Sequence, residues 1–468
     1  MRVALIWPNG FKVQNTIPLA FGYLKSNIKN KDRHQIKIID CSLENLNSRS
    51  VELREKILEF KPDVLGISFW SPNYYEALSI LMLAKSIDPN MTTVVGGPHA
   101  TSYSDKVMEN GEIDFLFRGE ADISFSVFLD ELEEKVPDLS KVKGLTYRDS
   151  GGELVDNEQD SQENLDLIQL PDYEAINLDG YLSAGYQFAG ARGGNAPIWI
   201  TRGCPYRCGF CSAPFQNGRP VRVHSIDYMV RWVKYLYDKK NIRQLNIIDD
   251  NFTYHIKYAK EFCRRMIELD LPNLRFCTPN GIRQERTDFE LLTLMKKAGW
   301  DYVFIAPESG SVKTLQRMQK DLDPKTIPQK VKEIKSAGLK VYGFFIVGYP
   351  GEAIEDLKET EELMLNGGFT YLSISRFQPL PGTPIYDELV ASNEIEDGLL
   401  PLRYNSPHSV YTPEGLKNFN FSRFFFKNQL KLMLKSPSNI FYLLWSHNKR
   451  VLFDRFFFAF KNALSSRV

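Results

Sequence analysis

The chain is predicted to be an α/β protein: a doubly wound parallel sheet, then a partial (β/α)6 barrel, then a C-terminal helical region. Two observations predict this. Short β-branched runs alternate with amphipathic stretches over the first 135 residues, and the alternation resumes from about 196 to 385. The runs are also nearly continuous in apolar residues, as suits strands covered on both faces of a sheet. Four regions follow: 1–140, the α/β sheet domain; 141–195, a hairpin and linker; 196–385, the barrel; and 386–468, a mostly helical tail.

In the first region the strands are "RVALIWP", "QIKIIDC", "DVLGISFW", "TTVVGGP" and "DFLFRGE". Helices fall between them at "PLAFGYLKSNIKN", "SVELREKILEF", "NYYEALSILMLAKSID" and "SYSDKVMENG". Sheets of this kind bind ligands beyond the carboxyl ends of their strands. Those ends are rich in Gly, Pro, Ser and Asn. "KGLTYRDSGGELVDNE" reads as a hairpin turning at Gly151 and Gly152, and the polar residues 157–195 as a linker. The barrel strands are "PIWITRGC", "QLNIIDD", "NLRFCTPN", "DYVFIAPES", "KVYGFFIVGYP" and "YLSISRFQP". Helices such as "IKYAKEFCRRMIELD" and "DFELLTLMKKAG" follow them, which puts the chemistry at the C-terminal strand ends. From Asn418 onward nine Lys and Arg stand against one acid, Asp454, among crowded aromatics. Packing against the barrel is one reading of that tail. A basic, aromatic face for a membrane surface or a lipid-like substrate is the other.

Composition bounds the function. The 468 residues are 43% hydrophobic and 25% charged with zero formal net charge, so no nucleic-acid partner is expected. The start hits Pro8 and Gly10 within a short apolar run, which reads as a strand and turn and not as a signal peptide. No long apolar span is present, so a cytoplasmic protein, at most peripheral to a membrane, is expected. In a reducing compartment clustered thiols are metal ligands or catalysts. Three of the six cysteines, Cys204, Cys208 and Cys211, form C-x3-C-x2-C in the loop after the first barrel strand. Structural zinc takes four ligands, often in paired C-x2-C sites. A [4Fe-4S] cluster takes four thiolates, and three leave one iron open to a small molecule. Cys263 and Cys277, on a helix and a strand, read as buried and inert.

C-x3-C-x2-C with Phe210 just before the last cysteine resembles the radical S-adenosylmethionine (SAM) enzymes. "PLAFGYL", "GGPHAT", "FRGEAD", "NGIR", "ESGS", "GYPGE" and "PLPGTPIYDEL" resemble, in the same order, its cobalamin-binding branch, over roughly residues 1–390. The resemblance implies a flavodoxin-like cobalamin domain, a [4Fe-4S] cluster on the three cysteines, and SAM chelated to the open iron. Reductive cleavage of SAM would give a 5′-deoxyadenosyl radical. The expected reaction is methylation of an unactivated carbon on a small or lipid-like substrate, with an external electron donor such as flavodoxin or ferredoxin. Members resembling the anaerobic magnesium-protoporphyrin ester cyclase use the same domains for oxidative cyclisation or rearrangement. A cluster- or cobalamin-binding protein without turnover is a third reading. Methylthiotransfer is disfavoured, because only Cys41 precedes Cys204.

The resemblance also implies residue roles. Asp249, Asp250 and Asn251 would meet the SAM amino group. Glu308 and Ser309 would meet its ribose, and Ile346 and Gly348 its adenine, with Phe210 and Arg283 close by. Cobalamin candidates are Trp7 to Gly10, Ser68 to Asn73, Gly96, Gly97, His99 and Glu120. The D-x-H-x-x-G pattern that ligates cobalt in other cobalamin domains is missing. The D-x-H triplet Asp32-Arg33-His34 lacks the glycine, precedes the second strand, and reads as a surface turn.

Overall fold

The computed structural model describes residues 1–435 apart from 11, 12, 14, 15, 160, 188–193, 399 and 401–408. Alternation along the first strand already defines two cores. In β1 (Arg2–Trp7), Val3, Leu5 and Trp7 enter one core and Ile6 enters another. β2 (Gln35–Asp40), β3 (Val64–Ser68), β4 (Thr92–Gly96) and β5 (Phe115–Phe117) pair parallel in the order β2-β1-β3-β4-β5. The order reverses beside β1, and this switch point is where such sheets hold a ligand. The hairpin predicted at 143–158 forms as β6 (Leu145–Arg148) and β7 (Leu154–Asp156). It extends the same sheet antiparallel to β5.

Helices cover both faces. α2 (Val51–Phe60), α3 (Tyr74–Ile87) and α5 (Ser104–Met108) close one core through Leu53, Ile57, Leu81 and Val107, with α4 (Pro98–Ser102) leading into α5. α1 (Leu19–Ser26) and α6 (Ser124–Leu132) close the other through Phe21, Tyr23, Phe125 and Phe128. This second core continues without a break into the barrel. Residues 157–195 are the reason, and they correct the expectation of a linker. Leu165, Ile168, Tyr173, Ile176, Leu178 and Tyr181 are all buried there, the last two on α7 (Leu178–Ser183). The Tyr173 hydroxyl donates to Pro197 O at 2.6 Å, and the Tyr181 hydroxyl to Asp40 at 2.6 Å. The apolar residues of this stretch follow neither helical nor strand spacing, so their burial was hidden in a polar average.

The six barrel strands form where expected. β8 (Asn195–Ile198) and the short β9 (Thr201–Arg202) cover the first predicted run, and β10 (Arg222–Val223) pairs antiparallel with β9. β11 (Gln244–Ile247), β12 (Arg275–Cys277), β13 (Tyr302–Glu308), β14 (Lys340–Val347) and β15 (Tyr371–Arg376) follow. β8, β11 and β12 run parallel, as do β13, β14 and β15, and parallel bridges at Phe276–Trp300 and Ile282–Ile305 join the two groups. The connecting helices are α8 (Ala213–Asn217), α9 (Ile226–Lys239), α10 (Ile256–Leu269), α11 (Phe289–Ala298), α12 (Val312–Arg317), α13 (Ile327–Ser336) and α14 (Ile354–Asn366). Ser225, Asp288 and Ser311 cap α9, α11 and α12 by accepting from backbone N–H groups of the first turn.

Two more helices complete the described chain, α15 (Pro384–Ala391) and α16 (Phe421–Lys435). α16 buries Phe421, Phe424 and Leu432, and its Lys427 and Lys431 reach Glu361 of α14 at 3.1 and 2.9 Å. This part of the basic, aromatic tail therefore packs on the barrel. "NIFYLLW" and "VLFDRFFFAF" lie outside the described residues. No helix among the described residues is long and apolar enough to cross a membrane.

Candidate active site at the barrel mouth

The cysteine loop is a hairpin with a narrow base. β9 and β10 pair through only two residues each, Arg222 with Arg202 and Val223 with Thr201, and residues 203–221 bulge out between them. Gly203 has φ +98°, and a Cβ there would lie 2.1 Å from Pro220 O, so no other residue fits the base. Within the loop Cys204 N donates to Gly218 O at 3.1 Å, Cys211 N to Cys208 O at 3.1 Å, and Gly209 N to Met318 O at 2.9 Å. Phe210 packs edge-on to Tyr349 with ring centres 6.3 Å apart, between the loop and the barrel. Sequence reading missed Tyr206, inside the cysteine motif. The Arg283 guanidinium stacks on its ring at 3.6 Å, and Arg286 Nε donates to its hydroxyl at 3.2 Å.

All three thiols are half-buried. Burial pushes Cys211 up to about 12, and the neighbouring Cys208, Asp250 and Cys204 add to the rise. The Cys204 thiol is raised by burial as well. Bound iron reverses this balance, because a coordinating thiol is deprotonated by the metal charge. Among the described residues no three His, Cys, Asp or Glu side chains converge as ligands of a single ion would. Three half-buried thiols on one loop are the donor set that a cluster with one open iron takes.

The residues expected to meet SAM divide into two groups. Asp249 is buried and its two oxygens accept from Ile200 N at 2.7 Å and Thr201 N at 2.9 Å. It therefore ties the end of β11 to the turn between β8 and β9, a structural role beside the expected ligand contact. Burial raises it to about 8. Ser309 has internal partners as well, since its hydroxyl pairs with Thr360 at 2.9 Å and accepts from Ser311 N at 3.1 Å. Asp250, raised to about 6 by burial, accepts from Asn217 Nδ2 at 2.7 Å. Gly348 donates its N–H to Glu352 and backs onto Phe421.

Asn251 forms the contrast. It is buried, and neither its Oδ1 nor its Nδ2 has a partner among the described residues. The two Arg283 Nη atoms are also buried without a hydrogen bond, with Glu285 3.5 Å from one of them. A cavity of about 270 Å³ opens at the strand ends, walled by Phe210, Ala306, Glu308, Ile346, Phe377 and Arg376 among others. Glu308 sits there with φ +65° and pairs with buried Lys320 at 3.1 Å. The cavity wall, charged at Glu308 and Arg376 and aromatic at Phe210 and Phe377, fits a ligand with both polar and aromatic parts.

At the other sheet, Trp7 is a buried core residue packed edge-on to Phe21 at 5.9 Å. Gly97 has φ +96°, and a Cβ there would lie 2.7 Å from Phe69 O and from Ser68 Oγ. It allows β3 and β4 to close up at their ends. Gly96 is open, with nothing nearer than 3.7 Å. Asn73 and His99 are buried, and Asn73 Nδ2 and His99 Nε2 have no partner among the described residues. Asn73 Oδ1 accepts from Trp70 N at 2.9 Å, and His99 Nδ1 bonds Ser71 Oγ at 3.0 Å. Polar atoms left at the ends of β3 and β4, with an open glycine at the end of β4, fit the amide-rimmed edge of cobalamin. His34 lies at the opposite end of the sheet. It is buried against Asp130 at 2.9 Å, so it is no surface turn, and it is also no cobalt ligand. Glu120 is engaged by the barrel. Its carboxylate is held by Arg222 and by Arg202, whose Nη1 lies 3.1 Å from it.

A doubly wound sheet whose ligand ends meet a barrel mouth carrying three clustered thiols is an arrangement that suits two cofactors. The comparisons agree. Residues 13–129 match the B12 binding domain and residues 198–364 the radical SAM superfamily. An uncharacterized methyltransferase of Pyrococcus horikoshii is 27% identical over 96% of this chain and 92% of its own length. A cytidylyl-2-hydroxyethylphosphonate methyltransferase of Streptomyces wedmorensis is 28% identical over 83% and 81%. An anaerobic magnesium-protoporphyrin IX monomethyl ester cyclase of Rubrivivax gelatinosus is 26% identical over 91% and 77%. The radical SAM methyltransferase TsrM of Kitasatospora setae shares the fold, with a TM-score of 0.74 at 16% identity over 92% of this chain and 88% of that one. The chain belongs to the cobalamin-binding radical SAM enzymes, the group that includes these methyltransferases and the cyclase.

Proposed function

We propose that the enzyme methylates an unactivated carbon of a small or lipid-like molecule. One observation carries this reading: the ligand ends of the two sheets are joined to each other. α4 packs on α8, Gln216 Nε2 donates to Gly119 O at 2.7 Å, and Arg202 and Arg222 reach Glu120 and Asp122. These contacts support a cluster seat set beside the cobalamin seat. Once bound, the cluster supplies an electron to SAM and cobalamin carries a methyl group.

The chain's own residues position and enclose. Cys204, Cys208 and Cys211 hold the cluster. Asn251 and Arg283 offer polar atoms to the SAM amino acid moiety, and Ile346 and Phe210 offer an apolar wall. Asn73, Gly96 and His99 offer contacts to the corrin edge. Aromatic walls keep water from the reacting atoms. The electron comes from an external donor of the flavodoxin or ferredoxin class. A second reading, oxidative cyclisation, is favoured by the similarity to the magnesium-protoporphyrin cyclase.

The test is anaerobic reconstitution with iron, sulfide and hydroxocobalamin, followed by metal counts and turnover with methyl-deuterated SAM in a cell extract. About four irons and one cobalt per chain with a deuteromethylated product supports methylation. 5′-Deoxyadenosine with an oxidised, unmethylated product supports cyclisation. Absence of 5′-deoxyadenosine overturns both.

A further inference from the structure

The loop that carries the three cysteines is closed by a ribbon of two residue pairs, too short to hold itself together. Both side chains at its base are arginines, Arg202 on β9 and Arg222 on β10, and both are buried. Neither takes a carboxylate from the barrel among the described residues. Their acids come from the loop after β5, in the other sheet. Glu120 accepts from Arg222 Nη1 at 3.1 Å and from Arg222 Nη2, and its Oε2 also lies 3.1 Å from Arg202 Nη1. Asp122 takes Arg202 alone, at 2.6 and 3.1 Å. Arg222 passes the restraint into the cysteine loop itself, since its Nη2 donates to Asn217 O at 2.7 Å. Arg202 is further fixed between two rings, 5.2 Å from Tyr23 and 4.7 Å from Trp199.

Glu120 is thus the acid that touches both strands of the ribbon. We propose that Glu120 is a positioning residue for the cluster: the cobalamin-side sheet reaches across through it to close the base of the cysteine loop. The proposal rests on the cluster assignment made above and adds a residue that contacts neither cluster nor SAM. It accounts for a carboxylate at a ligand end of the first sheet that is taken up by two arginines of the barrel. Two buried cations face the buried Glu120 and the partly exposed Asp122, and removing one anion leaves an arginine without its full set of partners.

The experiment uses the full chain, reconstituted anaerobically with iron, sulfide and hydroxocobalamin. Wild type, Glu120→Gln and Asp122→Asn are compared by iron count, cobalt count and the EPR spectrum of the reduced cluster with and without SAM. Glu120→Gln is expected to lose iron at least threefold, or to keep iron and lose the SAM-induced change in the spectrum, while still binding one cobalamin per chain. Asp122→Asn, which leaves the ribbon bridged, is expected to lose less. Should Glu120→Gln not fold, the charge-balanced Glu120→Gln/Arg222→Met replaces it, and the same loss of iron or of the SAM response is expected. Full iron with a wild-type SAM response in the folded variant overturns the proposal. Parallel loss of iron and cobalt in the balanced variant also overturns it, because Glu120 then serves general stability only. A wild type that binds no iron would instead sink the cluster assignment itself.

Discussion

The two sheets use the polar residues at their ligand ends in different ways. At the barrel mouth most of them hold the scaffold together. Asp249 ties down two backbone N–H groups, Ser309 bonds Thr360, and Glu352 accepts from Gly348 and Tyr349, leaving Asn251 and Arg283 with groups to offer. At the N-terminal sheet glycines shape the ends, Asn73 and His99 each keep a polar atom without a partner among the described residues, and Glu120 pairs with arginines of the barrel. The comparison teaches a rule for reading such sites. A polar residue at a strand end is a ligand candidate only when packing has not already used its donors and acceptors.

Four changes would break or sharpen this contrast. The largest effect belongs to the thiols. Cys208→Ala should abolish cluster binding in the reconstituted protein, and a full iron count would contradict the assignment. Next is the pair Asp249 and Asn251. Asp249→Ala strips two buried N–H groups of their acceptor and should cost about 2–4 kcal/mol in denaturant unfolding. Asn251→Ala should leave stability nearly unchanged and weaken SAM binding at least fivefold by equilibrium dialysis. The reverse pattern would exchange their roles.

Third, Gly97→Ala meets both a left-handed backbone and backbone atoms within 3 Å, so it should lower cobalamin uptake and the melting temperature together. Gly96→Ala has room and should preserve the melting temperature. Equal melting temperatures for the two variants would show that the strand ends are not closely packed.

The smallest effect is a pH dependence. His224 is buried, stacks on Tyr228 at 4.1 Å, and is pushed down to about 4, chiefly by burial and then by the Arg202 charge. It stays neutral in the folded protein while the unfolded chain takes up a proton below about 6.5. Its contribution to stability is therefore present above that pH and is lost as the pH falls toward 4. At pH 5 the loss reaches about 2 kcal/mol at most. The fall in melting temperature between pH 7 and pH 5 should be smaller in His224→Gln than in wild type, and an unchanged fall would contradict the burial argument.

Much of this protein was legible from the chain alone. Local alternation placed all five strands of the first parallel sheet and all six of the barrel. Spacing of three thiols with no regular fourth ligand pointed to an open iron. These are properties of neighbours in sequence, where period and residue type decide the outcome. Tertiary structure decided which candidates are free to bind. Asp249 and Asn251 are two residues apart and look alike on paper, yet one is held by Ile200 and Thr201 and the other is not. Glu120 lies some 80 residues before Arg202 and 100 before Arg222, and no local pattern announces their meeting. The apolar residues of 157–195 were hidden for the same reason, because they fill a space between two sheets and not one face of a helix or strand. Hydrogen bonds and packing between distant segments depend on how whole elements dock, and only the folded chain brings them within reach.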